Sequence, residues 1–302
     1  VNGDGFDDVI VADIDGDAFL FYGPFCPGLY TTAQADVVFD VGNGNGYGNW
    51  KLNTVGDLND DGFAEVHAGP FIYFGPPAPT SVDALGRPLV ETADLALPGQ
   101  GITSPGDVDG DGFPDLVSGI PPIGAPGLVL VYLGPFNPDG TTQTPLYDYT
   151  LTGEIDSDTA GMSFAPLGDL DGDGTADFAV GAYGARDSGV VVALAPGAVY
   201  VVKGPIAEDR DLGESFAKIV GALGYRMGSA IGTAPDQTGD GLGELMISAV
   251  GGNTAYWVPS PIPEGLSEAT SIGVALIDST PGFPPGAGFS QAMLWPQPSV
   301  GI

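Results

Sequence analysis

Positive charge is scarce in this chain. Seven Lys and Arg residues stand against 39 Asp and Glu, giving a formal net charge of −32 over 302 residues. Such a surface repels nucleic-acid phosphates and anionic lipid headgroups, so neither partner is expected, and it suits cations. Cysteine is scarcer still. Cys26 stands alone, so no intrachain disulfide can form, and it is expected to be a small half-buried residue. One His and one Cys are too few for a zinc set. No Ser/His/Asp set or neighbouring Cys/His pair can be assigned, so no enzyme is expected, and His67 is expected to be a satisfied structural residue. No apolar run reaches the ~18 residues of a membrane helix. The longest, 190–202, is broken by Pro196 and Gly197. The opening residues carry no basic and apolar leader, and they begin inside a motif, as in a processed or partial product.

Glycine and proline are plentiful, at 50 and 28 residues, yet the chain is 43% hydrophobic and 10% aromatic. That apolar content can bury a core, so Gly and Pro read as punctuation between many short elements rather than as disorder. One acidic motif recurs five times: VNGDGFDD at 1–8, DLNDDGFAE at 57–65, DVDGDGFPD at 107–115, DLDGDGTAD at 169–177 and DQTGDGLGE at 236–244. Its fifth-position aspartates, Asp4, Asp61, Asp111, Asp173 and Asp240, are separated by 57, 50, 62 and 67 residues.

The flanks repeat as well. A short apolar run follows each motif (8–12, 65–69, 116–119, 178–182 and 245–249), and each reads as a buried strand. A second run ends in a Gly-Pro turn at Pro24, Pro76, Pro135 and Pro205, with Val258-Pro259 in its place in the last copy. A third, more polar run follows, as at 145–152 and 269–277, and a fourth precedes the next motif, as at 161–168. Four short strands per repeat, with no helical periodicity between them, describe one blade of an all-β propeller. The spacing leaves no room for hidden blades of ~40 residues, so it supports five four-stranded antiparallel blades in a single domain over 1–302. The stretch Gly286–Trp295 resembles the strand before an acidic motif, so closure by pairing of the N- and C-terminal segments is expected.

Each motif places oxygen-bearing side chains at positions 1, 3, 5 and 9, with glycine at 6 for a sharp turn at positive φ. Calcium (Ca2+) is a hard cation that takes six to eight oxygens, at ~2.3–2.6 Å, and alternate residues of a tight loop supply them. Position 7 is expected to give a backbone carbonyl, and position 9 to close the site with two oxygens. The expected ligands are therefore Asp107, Asp109, Asp111, Phe113 and Asp115; Asp169, Asp171, Asp173, Thr175 and Asp177; Asp57, Asn59, Asp61, Phe63 and Glu65; and Asp236, Thr238, Asp240, Leu242 and Glu244. The first motif offers Asn2, Asp4 and Asp8. That makes up to five sites, four of them well defined, with affinity expected to fall in the order of carboxylate number. Clustered carboxylates without an ion would repel one another. Magnesium is disfavoured by its tight octahedron. Asp13-Ile-Asp-Gly-Asp17 lacks the glycine and the terminal acid and reads as an ordinary acidic hairpin.

Acidic loop, apolar strand and Tyr-x-Gly ending, with segments such as 178–183 (FAVGAY) and 197–202 (GAVYVV), resemble the FG-GAP repeats of integrin α-subunit propellers and their bacterial relatives. The resemblance covers nearly the whole chain. It implies blades around an axis, calcium hairpins on one face, and the acidic and amide residues above at ligand positions. Thr238 departs from the pattern, and so does the count of five, since integrin propellers have seven blades.

Calcium in such loops is expected to be structural, so that its binding free energy becomes folding free energy. Millimolar extracellular calcium fills weak sites, which places the chain outside the cell or on its surface. The expected function is a binding, adhesion or scaffold module for a protein or glycan of the cell surface or matrix. Its partner would dock opposite the acidic loops, at 121–127, 181–189 and 251–254. A lectin using Trp50, Trp257 or Trp295 is the first alternative. Self-assembly through apolar edges such as 190–202 is the second.

Overall fold

A computed structural model describes residues 1–13, 17–41, 51–99, 101–137, 141–187 and 189–277. The expected closing strand Gly286–Trp295, Trp50, Trp295 and the tip of the 13–17 hairpin lie outside them.

The most apolar segments are β-branched and aromatic. Leu128–Tyr132 (LVLVY) and Ala198–Val202 (AVYVV) are strands buried almost throughout, which explains why neither alternates with polar residues. Among the described residues the strands form five sheets, and helix is confined to single turns. The first sheet runs Val9–Ala12, Asp17–Phe21, Val37–Asp40, Pro88–Val90, Ser81–Val82, and the second Leu52–Thr54, Val66–Ala68, Phe71–Tyr73, Leu95–Ala96. The third runs Gly101–Gly106, Asp115–Ile120, Leu128–Tyr132, Tyr149–Thr152, Arg210–Asp211. The fourth runs Ser163–Gly168, Asp177–Ala182, Ala198–Val202, Ala217–Val220, Gly265–Glu268, and the fifth Met227–Ala234, Glu244–Ala249, Thr254–Val258, Val274–Ile277.

Pairing is antiparallel within each repeat, and in the second to fifth sheets the acidic loop joins the first strand to the second. In the first sheet the loop precedes Val9–Ala12, which lies at the sheet edge. That strand was expected to be buried. Val9 and Val11 are instead 44% and 40% exposed, because no strand among the described residues covers that edge.

Parallel pairing enters between repeats. The outer strand of one repeat is extended by a short segment of the next: Phe39 pairs with Val90, Leu95 with Gln143, Leu151 with Arg210, and Ile219 with Ser267. Each donated segment lies just before the outer strand of its own repeat, and it covers an edge that would otherwise be open. The same outer strands are anchored at their starts. Asp36, Asp94 and Asp148 each accept a hydrogen bond through Oδ2 from the backbone N–H of Tyr22, Phe74 and Leu133, at 2.8, 2.8 and 2.9 Å. In the last repeat the expected third run begins with one helical turn, Ala269–Ile272, and the strand starts at Val274.

Five cis prolines recur at one place in the repeat: Pro24, Pro76, Pro135, Pro205 and Pro261. In strand register Val258 of the last copy matches Val202, so the counterpart of Gly204-Pro205 is Ser260-Pro261 rather than Val258-Pro259. A Cβ on Gly23 or Gly75 would lie 2.6 or 2.9 Å from a loop carbonyl, of Asp7 or Ala64. Ser260 meets the matching carbonyl of Gly243 with its hydroxyl, donating a hydrogen bond at 2.8 Å.

The chain divides into two compact units, residues 1–103 with 134–146, and 104–133 with 147–302. In the first, Leu20 and Phe39 of the first sheet pack with Val66 and Tyr73 of the second, and the Phe39 and Tyr73 rings are 4.6 Å apart. In the second unit, Val117, Val131 and Leu151 of the third sheet pack on Phe178, Val180 and Tyr200 of the fourth. The opposite face of the fourth sheet, with Ala179, Val199 and Ile219, packs on Leu245, Ile247 and Tyr256 of the fifth. Successive sheets within a unit thus stack face to face. The third and fourth sheets also approach closely at one point, where a Cβ on Gly119 would fall 1.8 Å from the Gly161 carbonyl oxygen. The expected apolar edge at 190–202 is not an edge. Ala198–Val202 is paired on both sides, while Val191, Val192 and Leu194 are exposed ahead of it.

Phe178 is fully buried between two sheets. Phe178→Ala is expected to destabilise the protein by about 3–5 kcal/mol, read as a lower denaturation midpoint in urea at constant calcium.

Candidate metal centre

The acidic loops share one hydrogen-bond frame. Position 1 accepts from the glycine N–H at position 6: Gly62 to Asp57 at 2.8 Å, Gly112 to Asp107 at 2.8 Å, Gly174 to Asp169 at 2.9 Å and Gly241 to Asp236 at 2.8 Å. Position 5 accepts from the N–H at position 7: Phe6 to Asp4, Phe63 to Asp61, Phe113 to Asp111, Thr175 to Asp173 and Leu242 to Asp240. Position 9 accepts from the N–H at position 2: Leu58 to Glu65, Val108 to Asp115, Leu170 to Asp177 and Gln237 to Glu244. Leu58 and Val108 are fully buried, so the same residue anchors the loop in the core and fixes its ninth-position carboxylate.

The glycines at position 6 have φ between 84° and 94°. Position 4 is left-handed as well: Gly110, Gly172 and Gly239 stand there, and Asp60 holds φ 59° in the second loop. Position 6 is therefore not the sole sharp turn of the loop. The recurrent glycine at position 4 was the available signal for the second turn.

These frames turn carboxylates toward one another. Oxygens of Asp57, Asp61 and Glu65 lie within 4.8 Å of each other, as do those of Asp107, Asp109 and Asp115, and those of Asp169, Asp171 and Asp177. Among the described residues, the first and fifth loops form no such set. In the first, Asn2 donates its amide to Asp4 Oδ2 at 3.0 Å; in the second, Asn59 does the same to Asp61. In the fifth, Thr238 approaches Asp236 at 3.5 Å, and Glu244 Oε1 accepts from the backbone N–H groups of Gln237 and Thr238.

Position 9 is the buried root of the loop. Glu65, Asp115, Asp177 and Glu244 are fully buried. Aspartate there reaches the turn glycine with its second oxygen, as Asp177 does to Gly204 N–H at 2.9 Å and Asp8 to Gly23 N–H at 3.0 Å. Glutamate is one methylene longer, and the second oxygens, Glu65 Oε1 and Glu244 Oε2, have no hydrogen-bond partner. A buried, unpartnered carboxylate oxygen is costly unless something else satisfies it. Burial pushes the Glu65 carboxyl up to about 8, and it raises those of Asp177 and Asp109. The position-1 carboxyls of Asp169 and Asp236 are held below the usual range, chiefly by the N–H groups of Gly174 and Gly241. In the second loop the donor set is all oxygen, Glu65 has one oxygen without a partner, and the loop stands on a strand. A hard divalent cation fits it.

Every basic side chain is occupied, and Lys203 alone pairs with a carboxylate of the converging sets. Arg87 pairs with Asp83, Arg186 donates to the carbonyls of Asp156, Gly184 and Val190, and Arg210 donates to Lys203 O. Lys218 pairs with Glu154, Arg226 stacks on Tyr183 at 4.8 Å, and Lys203 pairs with Asp171. Lys51 is not free either, and burial lowers its ammonium to about 8. Among the described residues the surface charge left over is negative. His67 is fully buried in a central strand, donates Nε2–H to Gly69 O at 2.7 Å, and is lowered to about 4 by burial. Cys26 is exposed rather than half-buried, in the Gly/Pro-rich turn after Pro24 where little packs around it. Trp257 is half-buried, opposite Met246 and Val274.

At the far end of the strands, the loops of the second unit are tied together. Gly124 N–H donates to Ser157 Oγ at 2.8 Å, Ser157 N–H to Ala125 O at 2.7 Å, Gly224 N–H to Leu194 O at 3.0 Å and Gly251 N–H to Tyr225 O at 2.9 Å. Arg186 clasps 156–157 to 184–190. Ile123, Val191, Leu194 and Leu223 are exposed there, Ile123 almost fully.

No family profile matches the chain. It is 30% identical over 152 residues to integrin alpha-PS5 of Drosophila melanogaster, covering 44% of this chain and only 15% of that protein. The solved structure of BBS1N in complex with ARL6DN aligns over 92% of this chain and 80% of its own, at 13% identity and a TM-score of 0.37, too low to carry an argument.

In a metal-free sample the raised Glu65 carboxyl sets a pH dependence. Its folded value of about 8 exceeds the ordinary 4.5 of a glutamate, so the native state holds the extra proton between them. Stability is expected to fall as pH rises from about 4.5 to about 8 in chelator. Thermal melts across that window should show the slope, and Glu65→Gln should flatten it.

Proposed function

We propose that this chain is a calcium-stabilised extracellular propeller that binds or scaffolds a protein partner. The observation that carries the reading is the pair of unpartnered oxygens, Glu65 Oε1 and Glu244 Oε2, at the buried roots of acidic loops. A calcium ion over the second loop would be held by Asp57, Asp61 and Glu65, and over the third and fourth by Asp107, Asp109 and Asp115, and by Asp169, Asp171 and Asp177. It would neutralise the cluster and tie the first two strands of the sheet together. Asn59, Asp111, Asp173 and the carbonyls of Phe63, Phe113 and Thr175 would complete those shells. The fifth loop (Asp236, Thr238, Asp240, Leu242, Glu244) and the first (Asn2, Asp4, Asp8) would be weaker.

Five sheets, one acidic loop per repeat and face-to-face stacking within each unit support five blades around an axis. The partial likeness to an integrin α chain, and the millimolar extracellular calcium that would fill even weak loops of this kind, support a place outside the cell. The partner would dock at the hydrogen-bonded loop end opposite the acidic loops, on the aliphatic groups Ile123, Val191, Leu194 and Leu223. A net charge of −32 opposes self-assembly and favours a partner with basic groups around its contact. No catalytic role is proposed for any residue.

The test is metal content together with thermal unfolding before and after chelation. A site filled at 100 times its Kd adds about 2.7 kcal/mol. Bound calcium is expected at three or more equivalents, with a large fall in Tm in EDTA that calcium reverses. Purified protein without metal and with an unchanged Tm would overturn the reading.

A further inference from the structure

The third and fourth acidic loops carry the same set of four carboxylates, in DVDGDGFPD and DLDGDGTAD, yet their surroundings differ by one charge. Lys203 Nζ donates to Asp171 Oδ2 at 3.1 Å, and Asp171 is one of the three converging carboxylates of the fourth loop. The ammonium is also held from behind, 3.7 Å from the centre of the Phe216 ring. Its backbone is fixed on both sides: Arg210 donates to the Lys203 carbonyl at 3.0 Å, and the next N–H, of Gly204, donates to Asp177 Oδ1 at 2.9 Å. Lys203 is thus placed at the loop by the turn that touches the loop's buried carboxylate. In the other four repeats the residue before the matching turn is Tyr22, Phe74, Leu133 or Pro259. None of these carries a positive charge.

We propose that Lys203 is a resident counter-ion of the fourth acidic loop, which lowers that loop's affinity for calcium below that of the third. The inference rests on the reading of these loops as calcium sites. A cation salt-bridged to one ligand repels an incoming divalent ion and must be displaced from Asp171, or share it, when calcium binds. A unit charge several ångströms from a divalent ion, in partly solvated surroundings, changes affinity by about tenfold. The same ammonium holds the loop together when calcium is low, so the fourth loop would stay folded where the third relies on the ion.

The experiment is a calcium titration of the full chain followed by NMR of glycine-labelled protein. The amides of Gly110 and Gly112 report the third loop, and those of Gly172 and Gly174 the fourth. The wild type is expected to fill the third loop before the fourth. Lys203→Met is expected to tighten the fourth loop about tenfold and leave the third unchanged. Leu133→Lys, which places a cation at the matching position, is expected to weaken the third loop by a similar factor; it tests the idea independently should Lys203→Met fail to fold. The wild-type preference should shrink as salt screens the ammonium. Equal affinities in the two loops, or affinities unmoved by both substitutions, overturn the role of Lys203 while leaving calcium binding intact. No shift at any of the four glycines overturns the calcium reading itself.

Discussion

Everything in this structure turns on a carboxylate buried at the base of an acidic loop. The ninth-position residue is the last of the loop and stands at the start of the second strand. It accepts the N–H of position 2, which in Leu58 and Val108 is the residue that plugs the core. Loop geometry, strand pairing and core packing therefore meet at one group. A charge in that place is tolerable only when its oxygens are satisfied. Asp177 manages this with two backbone donors, whereas Glu65 has one oxygen bonded and one without a partner. The loops thus differ in how much they need an ion, even though their sequences look alike.

The distribution of charge follows the same logic. With seven basic residues against 39 acidic ones, the protein has few cations to spend. It uses them as internal clasps: Arg186 gathers carbonyls from two loops, and Lys218 and Lys203 lie against Tyr200 and Phe216 while pairing with Glu154 and Asp171. The acidic excess is left for solvent and for mobile or bound cations. Aliphatic groups gather instead on the loops at the other end of the strands, where the second unit presents Ile123 and Leu223.

Much of the fold was legible because the acidic motif and its flanking apolar runs share one spacing. The strands after the loops, the turns ending in Pro24, Pro76, Pro135 and Pro205, and the all-β class follow from Gly-bounded β-branched segments. Less legible were the parallel extensions. Arg210–Asp211 and Pro88–Val90 are two and three residues long, and they have no alternation to betray a strand. Val9–Ala12 was misjudged as buried because an apolar run does not reveal whether a neighbour covers it. The last turn lies two residues later than expected: Val258-Pro259 and Ser260-Pro261 both offer a proline, and the strand register and the Gly243 carbonyl select the second. In the loops, residue type identified the oxygen donors, but convergence depends on backbone hydrogen bonds. Thr238 and Asn2 occupy ligand positions in loops where three carboxylates do not converge, while Lys203 acts on the fourth loop from a strand end 32 residues beyond Asp171.

The most direct measurement is a crystal structure with calcium, phased to show anomalous scattering. The account predicts calcium peaks among Asp57, Asp61 and Glu65, among Asp107, Asp109 and Asp115, and among Asp169, Asp171 and Asp177, with Glu65 Oε1 in the coordination shell. Water alone at those three positions, at calcium concentrations matching the extracellular medium, would contradict it.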